Sequence, residues 1–145
     1  MNSNKKTARI LEDVKISVKI KLSALWAAMM FLYIYADYQT LLQPGIIEQI
    51  IAGEVDGTKF TPAVLFGGAI FITIPSIMIF LSLALKPKVN RWANIILGIV
   101  YIVAVIANLL TLEKIWAYFL FYTVVEILLN LLIVWYAWRW PKQEA

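Results

Sequence analysis

Four long apolar stretches alternate with short polar segments along the chain. They cover residues 22–38, 62–85, 92–112 and 115–138. A helix needs roughly 17 to 25 mostly apolar residues to cross the hydrocarbon core of a bilayer, and each stretch is long enough. Thr61 followed by Pro62 suits the capped start of a helix. The pattern therefore predicts an all-α fold, a transmembrane four-helix bundle over residues 22–138.

The segment between the first two stretches, residues 39–61, carries a short apolar pattern of its own. Its isoleucines recur at helical spacing, at Ile46, Ile47, Ile50 and Ile51. They predict a short interfacial helix that either seals the end of the bundle or forms a lid over a ligand cavity. The sequence VDGT at 55–58 is typical of a tight turn. Residues 86–91 predict a short loop, which makes the second and third helices antiparallel neighbours.

Composition makes lipid, not water, the expected surroundings of this bundle. Apolar residues make up 62% of the 145-residue chain and charged residues 15%, against roughly 45–50% and about 25% in soluble domains. The chain has no cysteine and no histidine, which removes disulfides, thiolate metal sites and the commonest general base. We therefore predict no metal site, no cofactor and no catalytic residue.

The basic residues gather on one side of the predicted membrane. Eleven of the thirteen lysines and arginines precede the first stretch, separate the second from the third, or follow the fourth, whereas only Lys59 and Lys114 fall on the opposite side. Because cytoplasmic segments carry the excess of basic residues, we expect the N-terminal segment 1–21 and the tail 139–145 to be cytoplasmic. The net charge of +4 thus reflects topology and does not indicate nucleic-acid binding.

One acid lies deep inside the predicted membrane. Glu126 is the twelfth residue of the fourth stretch, and a charge at the bilayer centre costs roughly 2.5–3.5 kcal/mol. We therefore expect Glu126 to face the bundle interior as a neutral, protonated acid. Pro75 leaves a carbonyl near Phe71 without its helical hydrogen bond, and Glu126 is predicted to donate to that carbonyl.

Other polar side chains match Glu126 in depth or share its helix face. Tyr122 and Asn130 lie one turn away on either side of it. Asp37, near the end of the first stretch, is expected to reach the interface or to pair with Lys114. The full set of ligand-binding or proton-carrying residues is predicted to be Glu126, Tyr101, Asn108, Tyr122, Asn130, Thr73, Ser76 and Asp37. The glycine pair at 67–68 predicts a surface for close helix packing.

Several runs resemble those of a family of small bacterial four-span membrane proteins of unknown function. They are LSALW at 22–26, YAD at 35–37, IP at 74–75, NRWANII at 90–96 and IVWYAW at 133–138. The resemblance covers nearly the whole chain and implies a bacterial inner (cytoplasmic) membrane, and in size and span count the chain is also similar to the DoxX-like group. Similar proteins often carry an acid just before the proline of the second span, where this chain has Thr73 and Ile74. This departure implies that Glu126 lacks a second carboxylate nearby.

Three functions are compatible with these features. The first is a non-enzymatic module that binds a lipophilic small molecule or a partner membrane protein, including a second copy of the chain, because an apolar pocket with few polar groups suits such a ligand. The second is proton or small-cation transport through Glu126, although a bundle without a visible inverted repeat is small for alternating access. The third, which the sequence favours least, is an enzyme on a lipid-soluble substrate with Glu126 or Asp37 as general acid or base.

Overall fold

The computed structural model of the chain describes residues 14–112 and 114–141. The predictions for residues 1–13, 113 and 142–145, which include most of the basic N-terminal segment and most of the tail, lie outside this part. The elements follow one another as α1 (Val18–Leu41), α2 (Ile46–Ala52), β1 (Glu54–Val55), β2 (Thr58–Lys59), α3 (Pro62–Ala84), α4 (Pro87–Thr111) and α5 (Ala117–Trp138). The predicted all-α fold with four long apolar helices is confirmed.

Two of the long helices begin at side-chain caps. The Ser17 hydroxyl accepts a hydrogen bond from the Ile20 amide, and α1 therefore starts four residues before its apolar stretch. The Thr61 hydroxyl accepts one from the Val64 amide, with Pro62 as the first helical residue of α3. Each cap satisfies an amide that has no partner within the helix.

The connection between α3 and α4 is shorter than the sequence pattern predicts. α4 begins at Pro87, so the expected loop over 86–91 is largely the first turns of a helix. The reason is that proline has a φ angle suited to the first helical position and lacks the amide that would go unsatisfied there. The basic residues Lys88 and Arg91 therefore lie on α4 itself.

The long helices pack as neighbours in the order α3, α1, α5, α4. α1 contacts α3 and α5 extensively, α4 packs along α5, and α3 touches α4 only slightly. We call the end of the bundle with the start of α1 and the end of α5 the terminal end, and the opposite end the α2 end. The core is formed by Leu22, Trp26, Met29, Met78, Ile95, Tyr101, Ile133 and Ala137.

Large apolar side chains cover the outside of the bundle. Phe31, Phe66, Phe80, Leu110 and Phe121 are each more than 60% exposed. Monomeric soluble proteins rarely expose continuous apolar surface on this scale. Each long helix is also long and apolar enough to cross a bilayer. The chain is therefore a multi-pass membrane protein.

The first half of α3 stands apart from the other described helices. Residues 61–70 are all exposed, and a side chain added at Gly67 or Gly68 would meet nothing within 4 Å. The predicted close packing at 67–68 is therefore wrong within this chain. Gly98 of α4 has that role instead, because a Cβ atom there would lie 2.7 Å from Cγ2 of Val134 on α5.

The segment between α1 and α3 folds as its sequence predicts. Gly45 and Gly53 flank α2 with φ angles of 83° and 85°, which glycine adopts without strain. Asp56 and Gly57, with φ angles of 46° and 75°, form the turn between the antiparallel strands β1 and β2, as a two-residue hairpin requires. Of the four isoleucines of α2, only Ile46 is buried, so most of the apolar surface of this helix faces away from the bundle.

Candidate functional site

A cavity of about 350 Å³ lies between the middle of the bundle and the α2 end. It is lined by Tyr33, Ala36, Asp37, Phe71, Ala104, Val105, Asn108, Phe119, Thr123 and Glu126. Asp37 and Glu126 are the two acidic residues of the four long helices, and both line it. We therefore call it the carboxylate cavity.

Helical periodicity places these side chains on common faces. On α5, Phe119, Thr123 and Glu126 are spaced by four and three residues, and on α1, Tyr33 and Asp37 are spaced by four. Residues at these spacings lie one above the other on the same side of a helix. Because α1 and α4 both pack against α5, their lining faces converge on Glu126.

The two carboxylates come together through the packing of α1 on α5. Glu126 is 8% exposed, and Asp37 reaches the same cavity from α1. The expectation that Glu126 lacks a second carboxylate nearby is therefore wrong. It depended on the position before Pro75 in α3, whereas the second acid comes from a different helix. Asp37 does not pair with Lys114, whose ammonium lies 4.3 Å from the ring centre of Trp116 instead.

Polar groups in the carboxylate cavity keep unused bonding capacity. No hydrogen bond among the described residues involves a carboxylate oxygen of Asp37 or Glu126. The Asn130 amide donates at 3.1 Å to the backbone carbonyl of Glu126 and not to its carboxyl group. The Tyr33 hydroxyl is buried and has no hydrogen-bond partner in this part of the chain. Buried polar groups normally have partners, so Glu126 and Tyr33 are available to a bound molecule, as is the exposed Asp37.

Tyr101 belongs to the core and packs against Phe71, which lines the carboxylate cavity. Its hydroxyl donates a hydrogen bond to the carbonyl of Phe71, the group that Pro75, four residues later, leaves without an amide donor. The prediction that Glu126 donates to this carbonyl is therefore wrong. The Tyr101 ring also packs against Phe71, at 4.6 Å between centroids, and edge-on against Trp26. Glu126 is thus left free to face the cavity.

Asn108 is the third predicted site residue that lines the carboxylate cavity. The sequence reasoning missed Thr123 and Tyr33, which line it as well. Helical spacing from the two acids could have identified them, because Thr123 precedes Glu126 by three residues and Tyr33 precedes Asp37 by four.

The other predicted site residues lie outside the carboxylate cavity. Thr73 and Ser76 are exposed on α3, where the Ser76 hydroxyl bonds to the Ile72 carbonyl at 2.9 Å. Tyr122 is half-buried and packs edge-on against its neighbours on α5. Asn130 is fully buried towards the terminal end. Depth along the bundle is therefore not sufficient to bring a side chain to the site.

A hydrogen-bonded group lies at the α2 end, near the carboxylate cavity. The Tyr118 hydroxyl lies 3.1 Å from that of Thr40 and accepts a hydrogen bond from the side-chain amide of Gln43. A second cavity of about 60 Å³ lies in this region, and Phe119 lines both cavities. Phe119 thus stands between the carboxylate cavity and the small cavity that Lys114 lines.

Comparison with known proteins places the whole bundle in one family. The sequence pattern that defines this family matches residues 9–145. The chain belongs to DUF6326, a family of unknown function. No curated protein and no solved structure matches the chain. The similarity to the DoxX-like group stays a prediction.

The DUF6326 match also covers a buried network at the terminal end. Asn94 accepts a hydrogen bond from the Trp26 indole at 2.7 Å and donates to Asn90, which donates to the Ser82 carbonyl at 2.6 Å. All four residues have no exposed surface. The network therefore joins α1, α3 and α4 of this DUF6326 chain in a packed region, on the opposite side of Tyr101 from the carboxylate cavity.

Proposed function

We propose that the protein binds a lipophilic small molecule in the carboxylate cavity, without chemical conversion. The observation that carries this proposal is the juxtaposition of unpartnered polar groups and apolar walls in about 350 Å³ of space. Binding sites for small molecules are typically concave, roughly 300–1,000 Å³ in volume, and mostly apolar with a few polar groups that orient the ligand. Glu126, Asp37 and Tyr33 supply those polar groups.

The packing of α3 supports access from the bilayer. Its residues 61–70 are all exposed, and it touches α4 only slightly. Phe71 of α3 and Asn108 of α4 both line the carboxylate cavity. The cavity therefore reaches the boundary between these two helices, where they touch only slightly. A molecule dissolved in lipid can therefore reach the cavity sideways, without passing through the α2 end.

We also propose that the terminal end is cytoplasmic, in a bacterial inner membrane. Basic residues at that end contact the faces of aromatic rings, with Lys21 at 5.1 Å from Tyr136 and Arg139 at 4.8 Å from Trp135. Such pairs suit the headgroup region, where aromatic rings gather and cytoplasmic lysines and arginines are in excess. The carboxylate cavity then lies in the outer half of the membrane.

Proton or small-cation transport is the second candidate, because two acids share one cavity. The packing towards the terminal end favours binding instead. Trp26, Met29 and Ile133 have no exposed surface, and they lie between the cavity and that end. Transport requires this core to open, whereas binding requires only the arrangement described.

Filling the carboxylate cavity tests the proposal. Ala104 lines the cavity, whereas Ala107 on the same helix is exposed and does not. We expect wild-type protein and Ala107→Phe, purified in mild detergent from the native membrane, to carry the same small molecule, measured by mass spectrometry of a solvent extract. Ala104→Phe should carry about tenfold less, a loss of roughly 1.4 kcal/mol of binding free energy. Equal amounts in all three proteins, or no bound molecule in any, would contradict the proposal.

A further inference from the structure

The carboxylate cavity has an uncompensated acidic character. Asp37 and Glu126 line it, and no lysine or arginine does. Lys114 lines the smaller cavity beyond Phe119 instead, with its ammonium over the ring of Trp116. No side chain of the described part therefore balances the charge of the two acids inside the cavity.

Burial of Glu126 makes an uncompensated negative charge in the cavity energetically unfavourable. Glu126 is 8% exposed, and an ionised carboxylate in apolar surroundings requires a nearby opposite charge. Asp37 is exposed but lines the same cavity, so two ionised carboxylates there would repel each other unless a cation lay beside them. A neutral ligand leaves Glu126 in need of a proton and an anionic ligand adds to the repulsion, whereas a cationic ligand allows its carboxylate to ionise.

The apolar walls suit an organic cation. Tyr33 and Phe71 line the cavity with ring centroids 6.2 Å apart, and Phe119 adds a third ring. Aromatic faces attract ammonium groups, and most strongly where water is excluded. A hydrated metal ion makes no use of such walls.

From this charge and these walls we infer that the ligand of the carboxylate cavity is a lipophilic organic monocation, either a protonated amine or a quaternary ammonium. This inference rests on the proposed function and names the ligand class of the same site. Asp37 and Glu126 neutralise the cationic head, and Tyr33, Phe71 and Phe119 enclose it. At about 30 Å³ per atom, the volume of a water molecule in the liquid, the cavity holds about ten non-hydrogen atoms.

Two probes of nearly the same size and shape separate charge from hydrophobicity. Benzyltrimethylammonium is a permanent cation, and neopentylbenzene replaces its nitrogen with carbon. Binding of each to the full-length protein in lipid nanodiscs is measured by saturation-transfer NMR, with empty nanodiscs as the blank. We expect the cation to bind about tenfold or more tightly than the neutral probe, because only the cation satisfies the carboxylates.

Variants identify the groups responsible. Glu126→Gln and Asp37→Asn should each weaken binding of benzyltrimethylammonium by about tenfold and leave binding of neopentylbenzene unchanged. Glu48→Gln, an exposed acid on α2, removes the same charge outside the cavity and should change neither. If Glu126→Gln does not fold, Asp37→Asn decides the question alone.

The outcomes distinguish the two proposals. Equal binding of both probes, or a cation preference that survives the carboxylate substitutions, would overturn the inference about the cation and leave the proposed binding function standing. Binding of neither probe to the wild-type protein would overturn both.

Discussion

Tyr101 supplies the hydrogen bond that Pro75 removes from α3. Its hydroxyl donates to the Phe71 carbonyl, and its ring is 1% exposed. Tyr101→Phe keeps the ring and leaves that carbonyl without a donor in apolar surroundings. We expect the free energy of unfolding in detergent micelles to fall by about 1–2 kcal/mol, measured by denaturant titration and circular dichroism.

The matched control for this change is Tyr122→Phe. The Tyr122 hydroxyl makes no hydrogen bond among the described residues, and its ring is half-buried on α5. Removing it should change the free energy of unfolding by less than about 0.5 kcal/mol. A Tyr101 variant as stable as this control would mean that the bond to Phe71 adds nothing to the fold.

At the residue scale, the sequence shows which polar groups lie in unusual, apolar surroundings. It does not show which side chains form hydrogen bonds with them. The position of Glu126 in its apolar stretch and the missing amide of Pro75 both predict unusual polar groups, and both are found. The donor to the Phe71 carbonyl is Tyr101 and not Glu126, because position along a helix gives depth but not the direction that a side chain faces. The cavity itself is a property of several helices and has no signature in one stretch of sequence.

The contact between α4 and α5 depends on Gly98. A Cβ atom at this position would lie 2.7 Å from Val134 and 3.5 Å from the backbone carbonyl of Asn130. Valine has little rotamer freedom in a helix, so the two helices must move apart to admit a methyl group. Gly98→Ala should therefore lower the free energy of unfolding by about 1–3 kcal/mol, measured by the same titration.

Gly68→Ala is the control for glycine replacement itself. Its added methyl group would meet nothing within 4 Å, and alanine favours a helix over glycine by roughly 0.5–1 kcal/mol. This variant should be as stable as the wild type or slightly more stable. Loss of stability in Gly68→Ala, or none in Gly98→Ala, would reverse the assignment of the close-packed surface.

At the element scale, the start of α3, the hairpin turn and α2 are predictable because each depends on local chemistry. Thr61, Gly53 and Gly57 mark boundaries through caps and positive φ angles. The start of α4 at Pro87 was predictable from the same first-turn rule that marks α3, but its flanking charges suggested a loop. Hydropathy alone thus underestimates the length of helices that continue into the headgroup region.

At the scale of the whole molecule, the order of helix packing decides which predicted partners meet. α3 packs against α1, whereas α5 packs against α1 and α4. Thr73 and Ser76 lie at exposed positions of α3 and do not line the cavity, although they match Glu126 in depth, whereas Asp37 on α1 does. The apolar pattern predicts four spans but carries no information on which spans are neighbours, since positions that face lipid and positions that face another helix are both largely apolar.

The orientation of the whole bundle is testable because the chain contains no cysteine, so an introduced cysteine is the only thiol. Thr58 in the hairpin and Lys88 at the start of α4 are both exposed and lie at opposite ends of the bundle. In cells with a permeabilised outer membrane, a membrane-impermeant maleimide should label Thr58→Cys and spare Lys88→Cys. Both should react equally once the inner membrane is disrupted.

The distribution of basic residues predicts this orientation. Short segments rich in lysine and arginine are retained on the cytoplasmic side, and seven of the nine lysines and arginines in the described part of the chain lie at the terminal end. Labelling of Lys88→Cys alone would invert the orientation and move the carboxylate cavity to the inner half of the membrane, where its ligand would come from the cytoplasmic leaflet. Labelling of both variants before disruption would mean that the helices do not separate the two ends across a membrane.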